Sequence, residues 1–198
     1  MRFANQNGRS MIEMLGVLAI IGVLSVGSLG IVAKARQQYT ISQIINEVSS
    51  LVTSARKMSC DYDDGYGSYT NMLFRSDEYP DGVLPLSDDA DIGSVIEQSA
   101  KETSSAEAFL LTSETVLQLN GGDGTFTAEI SNLPPHACLA VATADWGKKH
   151  INGFLGSAFD TTNKSDGDQQ MDLDLATAGC AAGSTLTLTY KACQRADQ

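Results

Sequence analysis

The sequence predicts an α+β protein in which one long N-terminal helix packs on a C-terminal antiparallel sheet. Three observations predict it. From Met14 to Ala33 there are 20 consecutive residues without a charge, a run too long and too apolar all round for an ordinary core helix. Over 41–55 the apolar residues Ile41, Ile44, Ile45, Val48, Val52 and Ala55 recur at helical spacing among Gln, Ser, Asn and Glu, which predicts one buried helix face. Farther on, Phe126, Ala128 and Ile130, and again Leu186, Leu188 and Tyr190, alternate with polar residues as half-buried strands do.

The 198 residues suffice for one ordinary domain and a short appendage, and a hydrophobic content of 42% supports a packed core. Thirteen Lys+Arg against 24 Asp+Glu give a formal net charge of −11. No nucleic acid is expected as a partner of so acidic a chain, because phosphates need a basic face. The charge is unevenly placed. Residues 1–57 carry six basic and two acidic side chains, and residues 58–198 carry seven and 22. A basic, apolar front therefore joins an acidic body.

At ~1.5 Å per residue the uncharged run makes a helix of roughly 30 Å, the thickness of a bilayer's hydrocarbon core. A cleaved secretory signal is one reading, since Arg2 and Arg9 make a basic leader and Ala33-Lys34-Ala35 is a small-x-small pattern. The apolar run exceeds the roughly 7–15 residues of such signals. No proline occurs before Pro80, and the helical pattern continues past the cut. One continuous helix from about residue 10 to 58 is the simpler expectation. Glu13 stands at the start of the apolar run, where an unpartnered carboxylate costs a few kcal/mol to place in lipid. Taken alone it reads as a helix-start acid favoured by the macrodipole.

In the body, the segment from Asp61 to Tyr69 is punctuated by Gly and Asp and ends the helix. It fails as a calcium loop, because counting from Asp61 the sixth position is Tyr66 where glycine is needed. Ile92–Leu111 carries an imperfect apolar stripe and is expected as a surface helix. Ala137–Ala144 is small and apolar and suits helix or strand. The segment Gly121-Gly122-Asp123-Gly124 is expected as a turn, and Asp160 to Asp174 as a solvated acidic loop. Catalysis has little to stand on. His136 and His150 are the two histidines, no Gly-x-Ser-x-Gly elbow is present, and acid pairs such as Asp88-Asp89 read as solvent-facing. The expectation is no enzyme, no cofactor and no metal site. Cys60, Cys138, Cys180 and Cys193 contain no Cys-x-x-Cys pair and all follow the apolar run, so two disulfides in an oxidising compartment are expected. Four cysteines allow three pairings, and nothing in the residues themselves chooses.

Gly8-Arg9-Ser10-Met11-Ile12-Glu13-Met14-Leu15 resembles the processing site of type IV prepilins and the related type II secretion pseudopilins. In that family a short basic leader ends in Gly, a glutamate is the fifth residue after the cut, and an apolar run follows. The segment Gly124–Ala140, with Pro134-Pro135 before Cys138, resembles type IVb pilins. So do Ile151-Asn152-Gly153 and Ala178-Gly179-Cys180 before Thr185–Tyr190. The resemblance covers residues 1–58 and 124–192.

It implies a pilin fold in four parts: a leader over 1–8, a transmembrane and filament-core helix over 9–33, its amphipathic continuation over 34–58, and a head over 59–198. It implies cleavage by prepilin peptidase between Gly8 and Arg9, N-methylation of Arg9, and a Glu13 that neutralises a neighbouring subunit's α-amino group during assembly. It implies disulfides Cys138–Cys180 and Cys60–Cys193; the rival is Cys180–Cys193 with Cys60–Cys138. The implied role is a structural subunit of a helical surface filament, single-pass in the inner membrane with a periplasmic head before assembly and in the extracellular pilus afterwards. Its partners would be identical or related pilin subunits, the peptidase, an inner-membrane assembly platform and the membrane itself. A minor pilin or pseudopilin of a secretion or DNA-uptake system, and a membrane-anchored periplasmic binding module, are the alternatives.

Overall fold

A computed structural model describes residues 7–61, 67–87, 105–122, 124–159, 163–164 and 170–193, with the side chains of 7–10, 26–30, 61, 163 and 164 outside the description. It is α+β, with an N-terminal helical region and an antiparallel sheet. Helix α1 spans Asn7–Asp61, 55 residues. The chain divides into two compact units, Met1–Tyr39 and Thr40–Gln198. In the first, the described helical side chains are exposed. Among the described residues no helix is long and apolar enough to cross a membrane. The expected span therefore includes side chains, those of 26–30, that lie outside the description.

In the second unit α1 has one buried face. Ile44, Val48, Leu51 and Ala55 have no exposed surface, and Val52 and Met58 little. Each such large apolar side chain stabilises by roughly 1.5–3 kcal/mol when fully buried. Ile41 and Ile45 pack against the same cluster from its rim. The cluster includes Leu117, Leu119, Phe126, Ala128, Ile130 and Leu188, which line the inner face of the sheet.

The strands are β1 (Gly67–Ser68), β2 (Leu84–Leu86), β3 (Ala108–Leu110), β4 (Val116–Gly122), β5 (Thr125–Ser131), β6 (Phe154–Phe159), β7 (Asn163–Lys164) and β8 (Leu186–Lys191). The sheet order is β2-β3-β4-β5-β8-β6-β7, with β1 also on β4. All pairings are antiparallel. β4 and β5 form a hairpin whose turn contains Gly124 at φ 71, a left-handed conformation that suits glycine. The last described strand, β8, lies between β5 and β6. Across these three strands Phe126, Tyr190 and Phe154 are register partners, and their ring centroids are 5.3 Å apart in both steps. Such aromatic pairs contribute about 0.5–1.5 kcal/mol beyond area burial.

Three short helices complete the head. Helix α2 (Tyr69–Ser76) is capped by Ser68, whose hydroxyl accepts from the Asn71 amide. Helix α3 (Pro135–Ala142) carries Pro at its first position, where the missing N–H costs nothing. Helix α4 (Leu173–Ala182) starts at Asp172, whose carboxylate accepts from the Asp174 amide, and stops at Gly183 with φ 67. Gly179 lets α4 approach β6, because a Cβ there would collide with the Phe159 ring.

Several expectations change. The helix expected over Ile92–Leu111 meets strand β3 at 108–110, while 92–104 lie outside the description. All three β3 residues are buried, so both faces are covered and the period-2 signal of a strand is erased. Gly121 and Gly122 end β4 instead of forming the turn. Ala137–Ala144 resolves as mostly α3, in keeping with the Pro134-Pro135 start. The segment expected as an acidic loop over 160–174 contains β7 and the start of α4.

One side chain completes the sheet edge. β4 pairs with β3 at Val116 and Leu117 and with β1 at Asn120 and Gly121, which leaves Leu119 between two partners. The buried Thr70 hydroxyl fills that gap, accepting from the Leu119 amide at 2.9 Å and donating to the Leu119 carbonyl at 3.4 Å. Thr70→Val keeps the shape and leaves both groups unpaired. It should lower unfolding free energy by about 1–3 kcal/mol, read from the urea midpoint, and an unchanged midpoint would deny Thr70 this role.

Candidate functional site

Two features outside ordinary core packing attract attention, one in each unit. The first is the apolar surface of α1. From Met11 to Leu24 its large side chains are 52–75% exposed, among them Ile12, Leu15, Leu18, Ile21 and Leu24. They face all directions around the helix axis. Monomeric soluble proteins rarely expose contiguous apolar surface beyond a few hundred Å², so this segment demands an apolar neighbour. Gly8 and Arg9 lie within the first residues of α1, and Glu13 is exposed on the same helix. Gly8, Glu13 and the apolar run thus share one helix, well separated in sequence from the last three cysteines.

The second feature is the pair of disulfides. Cys138 of α3 is bonded to Cys180 of α4 with a Cα–Cα distance of 5.8 Å, and Cys60 near the end of α1 to Cys193 just after β8 at 4.7 Å. These are the two pairs the resemblance implies; the Cys180–Cys193 loop is not formed. The Cys60–Cys193 junction has a polar support that sequence reasoning missed. The buried Ser59 hydroxyl accepts from the Cys193 amide at 3.0 Å and donates to the Arg56 carbonyl at 2.7 Å. No periodicity marks such a residue, since a Ser mid-helix ordinarily faces water.

The acid and imidazole groups singled out from the sequence are dispersed. His136 and His150 are exposed on different elements. Asp145 accepts from the Gly147 amide at 3.0 Å, and the buried Trp146 indole donates to the Val141 carbonyl at 3.0 Å. Those contacts hold a turn together. Among the described residues no three His, Cys, Asp or Glu side chains gather closely enough to hold a metal ion. Asp88 and Asp89 and residues 62–66 of the tested calcium loop lie outside the described residues. An open groove of about 720 Å³ runs between Thr40 and Gln43 of α1, Leu84, the β3–β4 turn and His136.

Glu47 of α1 was not foreseen as special. Its Oε1 accepts from the Gln43 amide at 2.8 Å, and among the described residues its buried Oε2 has no partner. Burial pushes its carboxyl above the ordinary 4.5, and the Gln43 hydrogen bond offsets only part of this. Tyr190, deep in the aromatic row, is also raised by burial.

Compared with protein-family models, curated proteins and solved structures, the chain finds no match in any of the three.

Two expected outcomes follow from this geometry. The Cys138–Cys180 bond spans 42 residues, and in the chain-entropy account closing such a loop contributes about 4 kcal/mol. Replacing both cysteines with Ala should lower the non-reducing urea midpoint accordingly, and an unshifted midpoint would make the bond incidental to stability. For Glu47, the folded protein holds the proton more tightly than the unfolded chain. Its contribution is therefore full below about pH 4.5 and lost as pH rises through the higher folded value. Glu47→Gln should exceed wild type in stability at neutral pH and converge with it in acid, as followed by urea midpoints across pH.

Proposed function

We propose that this chain is a type IV pilin-like structural subunit, trimmed after Gly8 and assembled with its copies into a helical surface filament. The observation that carries the reading is the register of Gly8, Glu13 and the uncharged run Met14–Ala33 on one helix. Cleavage after Gly8 creates a new α-amino cation on Arg9, four residues before the Glu13 carboxylate. In an apolar environment either charge alone is costly, and their attraction grows as the dielectric constant falls. An incoming subunit that places its amine against a neighbour's Glu13 is accepted in register; one out of register is not.

The exposed apolar side chains of α1 support the reading from packing. A helix apolar all round is at home in lipid before assembly and among identical helices afterwards. Gly16 and Gly22 have open space where a side chain would be, so neighbouring helices can approach closely there. A head-to-tail contact between identical subunits does not close on itself and grows an open fibre. The disulfide-bonded α+β head is then the part that meets solvent.

The experiment is a comparison of wild type with Glu13→Ala in cells that carry a prepilin peptidase. Wild type should yield a mature chain beginning at Arg9 by mass spectrometry and sheared filaments containing it. Glu13→Ala should be cut normally, fold with both disulfides, and give at least about tenfold fewer filaments, as removal of a buried charge partner demands. A mature chain beginning at Arg36 would establish a cleaved signal instead. Retention of residues 1–8 would favour an anchored periplasmic module. Processed subunit that is absent from abundant filaments would mark a minor pilin or pseudopilin.

A further inference from the structure

We propose that the loop Trp146–Asn152, together with Arg56 and Lys191, is a cationic docking surface for the acidic head of a second copy of this chain. The inference rests on the self-assembly reading and names a surface by which the heads meet. Residues 58–198 carry only seven basic side chains against 22 acidic. Lys148, Lys149 and Lys191 are three of those seven, and they share a site with Arg56 and His150. Three of the scarce cations of an acidic body thus lie on segments joined to one another and to Arg56.

Hydrogen bonds bring the three chain segments together. Arg56 donates from Nη1 to the Ile151 carbonyl at 3.2 Å, and the Lys191 amide donates to the Gly153 carbonyl at 2.7 Å. Gly153, at φ +74, sits so close that a Cβ would lie 3.1 Å from the Lys191 carbonyl oxygen and 3.5 Å from Arg56 Cζ. The loop itself is pinned. The Ile151 and Asn152 amides both donate to the Lys148 carbonyl at 3.0 Å, and the Asn152 side-chain amide donates to the Trp146 carbonyl at 2.8 Å. The tip is thereby fixed with Lys148, Lys149, His150 and Ile151 outward. A held tip loses little freedom on binding, which lowers the entropic cost of contact.

The tip is also unspent. Lys57, one residue past Arg56, already pairs with Glu78 at 3.1 Å. Among the described residues none of Lys148, Lys149 and Lys191 pairs with a carboxylate. Asp145 is the loop's own acid, and its Oδ1 is engaged by the Gly147 amide. Ile151 is 68% exposed in the middle of the cations, an apolar contact that would exclude water from the charge pairs around it.

Charge complementarity selects the occupant. Acidic heads side by side repel, and the repulsion is relieved where the cationic tip of one meets carboxylates of the next. Exposed carboxylates are available on other elements of the same head, among them Asp77, Asp81, Glu114 and Asp174. Because tip and carboxylates are different patches, the contact is heterologous, the kind that propagates along a fibre.

The test uses full-length chain in a non-ionic detergent, prepared as an equal mixture of ¹⁴N- and ¹⁵N-labelled protein and treated with a zero-length carbodiimide. Peptides holding Lys148 or Lys149 should be joined to carboxylate peptides of the other isotope. Those links should fall about tenfold in about 0.5 M salt, where screening shortens the reach of exposed charges. They should fall about tenfold in Lys191→Glu as well, which reverses a charge of the surface and leaves the reactive Lys148 and Lys149 amines in place. Links confined to one isotope overturn the proposal, as does charge reversal that abolishes binding to anionic phospholipid vesicles while self-association is unchanged. The two readings fail separately. Normal filaments from the charge-reversed variant, with no mixed-isotope link in wild type, overturn the surface and leave assembly standing. Mixed-isotope links from a wild-type chain that makes no filaments support the surface and remove the assembly reading.

Discussion

The head depends on one act of burial, the covering of the sheet's inner face by the apolar side of α1 between Ile44 and Met58. Helix and strand residues belong to a single cluster, so neither half has a finished core without the other. The outer face of β5, which shows Thr125, Thr127, Glu129 and Ser131, can stay wet because the inner one is closed. The same helix changes its character along its length. Over 11–25 apolar side chains point every way into open space, whereas from Ile44 onward they are confined to one side. Binary pattern alone thus assigns two environments to one element, and the division of the chain at Tyr39 and Thr40 falls where that pattern turns over.

Each disulfide ties a helix to a distant segment at the margin of the core. α3 and α4 are rich in Ala and Gly, residues that bury little area, and Cys138–Cys180 supplies the tie that large side chains would otherwise give. Cys60–Cys193 ties the end of α1 to the residues after β8, so the cross-link spans 133 positions. Ser59 and Arg56 reinforce the same corner through hydrogen bonds to Cys193 and Ile151. One turn of α1 thereby organises the disulfide, the strand end and the cationic loop.

Much of this was legible in the sequence, and the remainder was hidden for identifiable reasons. The helix face at Ile44, Val48, Val52 and Ala55 and the strands at Phe126–Ile130 and Leu186–Tyr190 were legible because each has one wet side, and periodicity records a boundary between wet and dry. β3 was hidden because Ala108, Phe109 and Leu110 are dry on both sides. β2 was hidden because Pro85 sits in a three-residue edge strand, where a missing donor is tolerated. Ser59 and Thr70 escaped notice because a hydroxyl's partner is a tertiary fact. The Lys148-Lys149-His150 run was not singled out, because two adjacent cations in a loop ordinarily read as a solvated face, and their union with Arg56 and Lys191 required the fold.

The central place of β8 bears on how the protein is made. Its two neighbours, β5 and β6, are complete long before residues 186–191 leave the ribosome, yet they cannot pair with each other in the sheet order observed. Until β8 arrives, both present open edges, and the aromatic row lacks its middle ring. Non-local pairing of this kind is slow to nucleate. Closure of the sheet between β5 and β6, and of the aromatic row across it, therefore waits on residues 186–191.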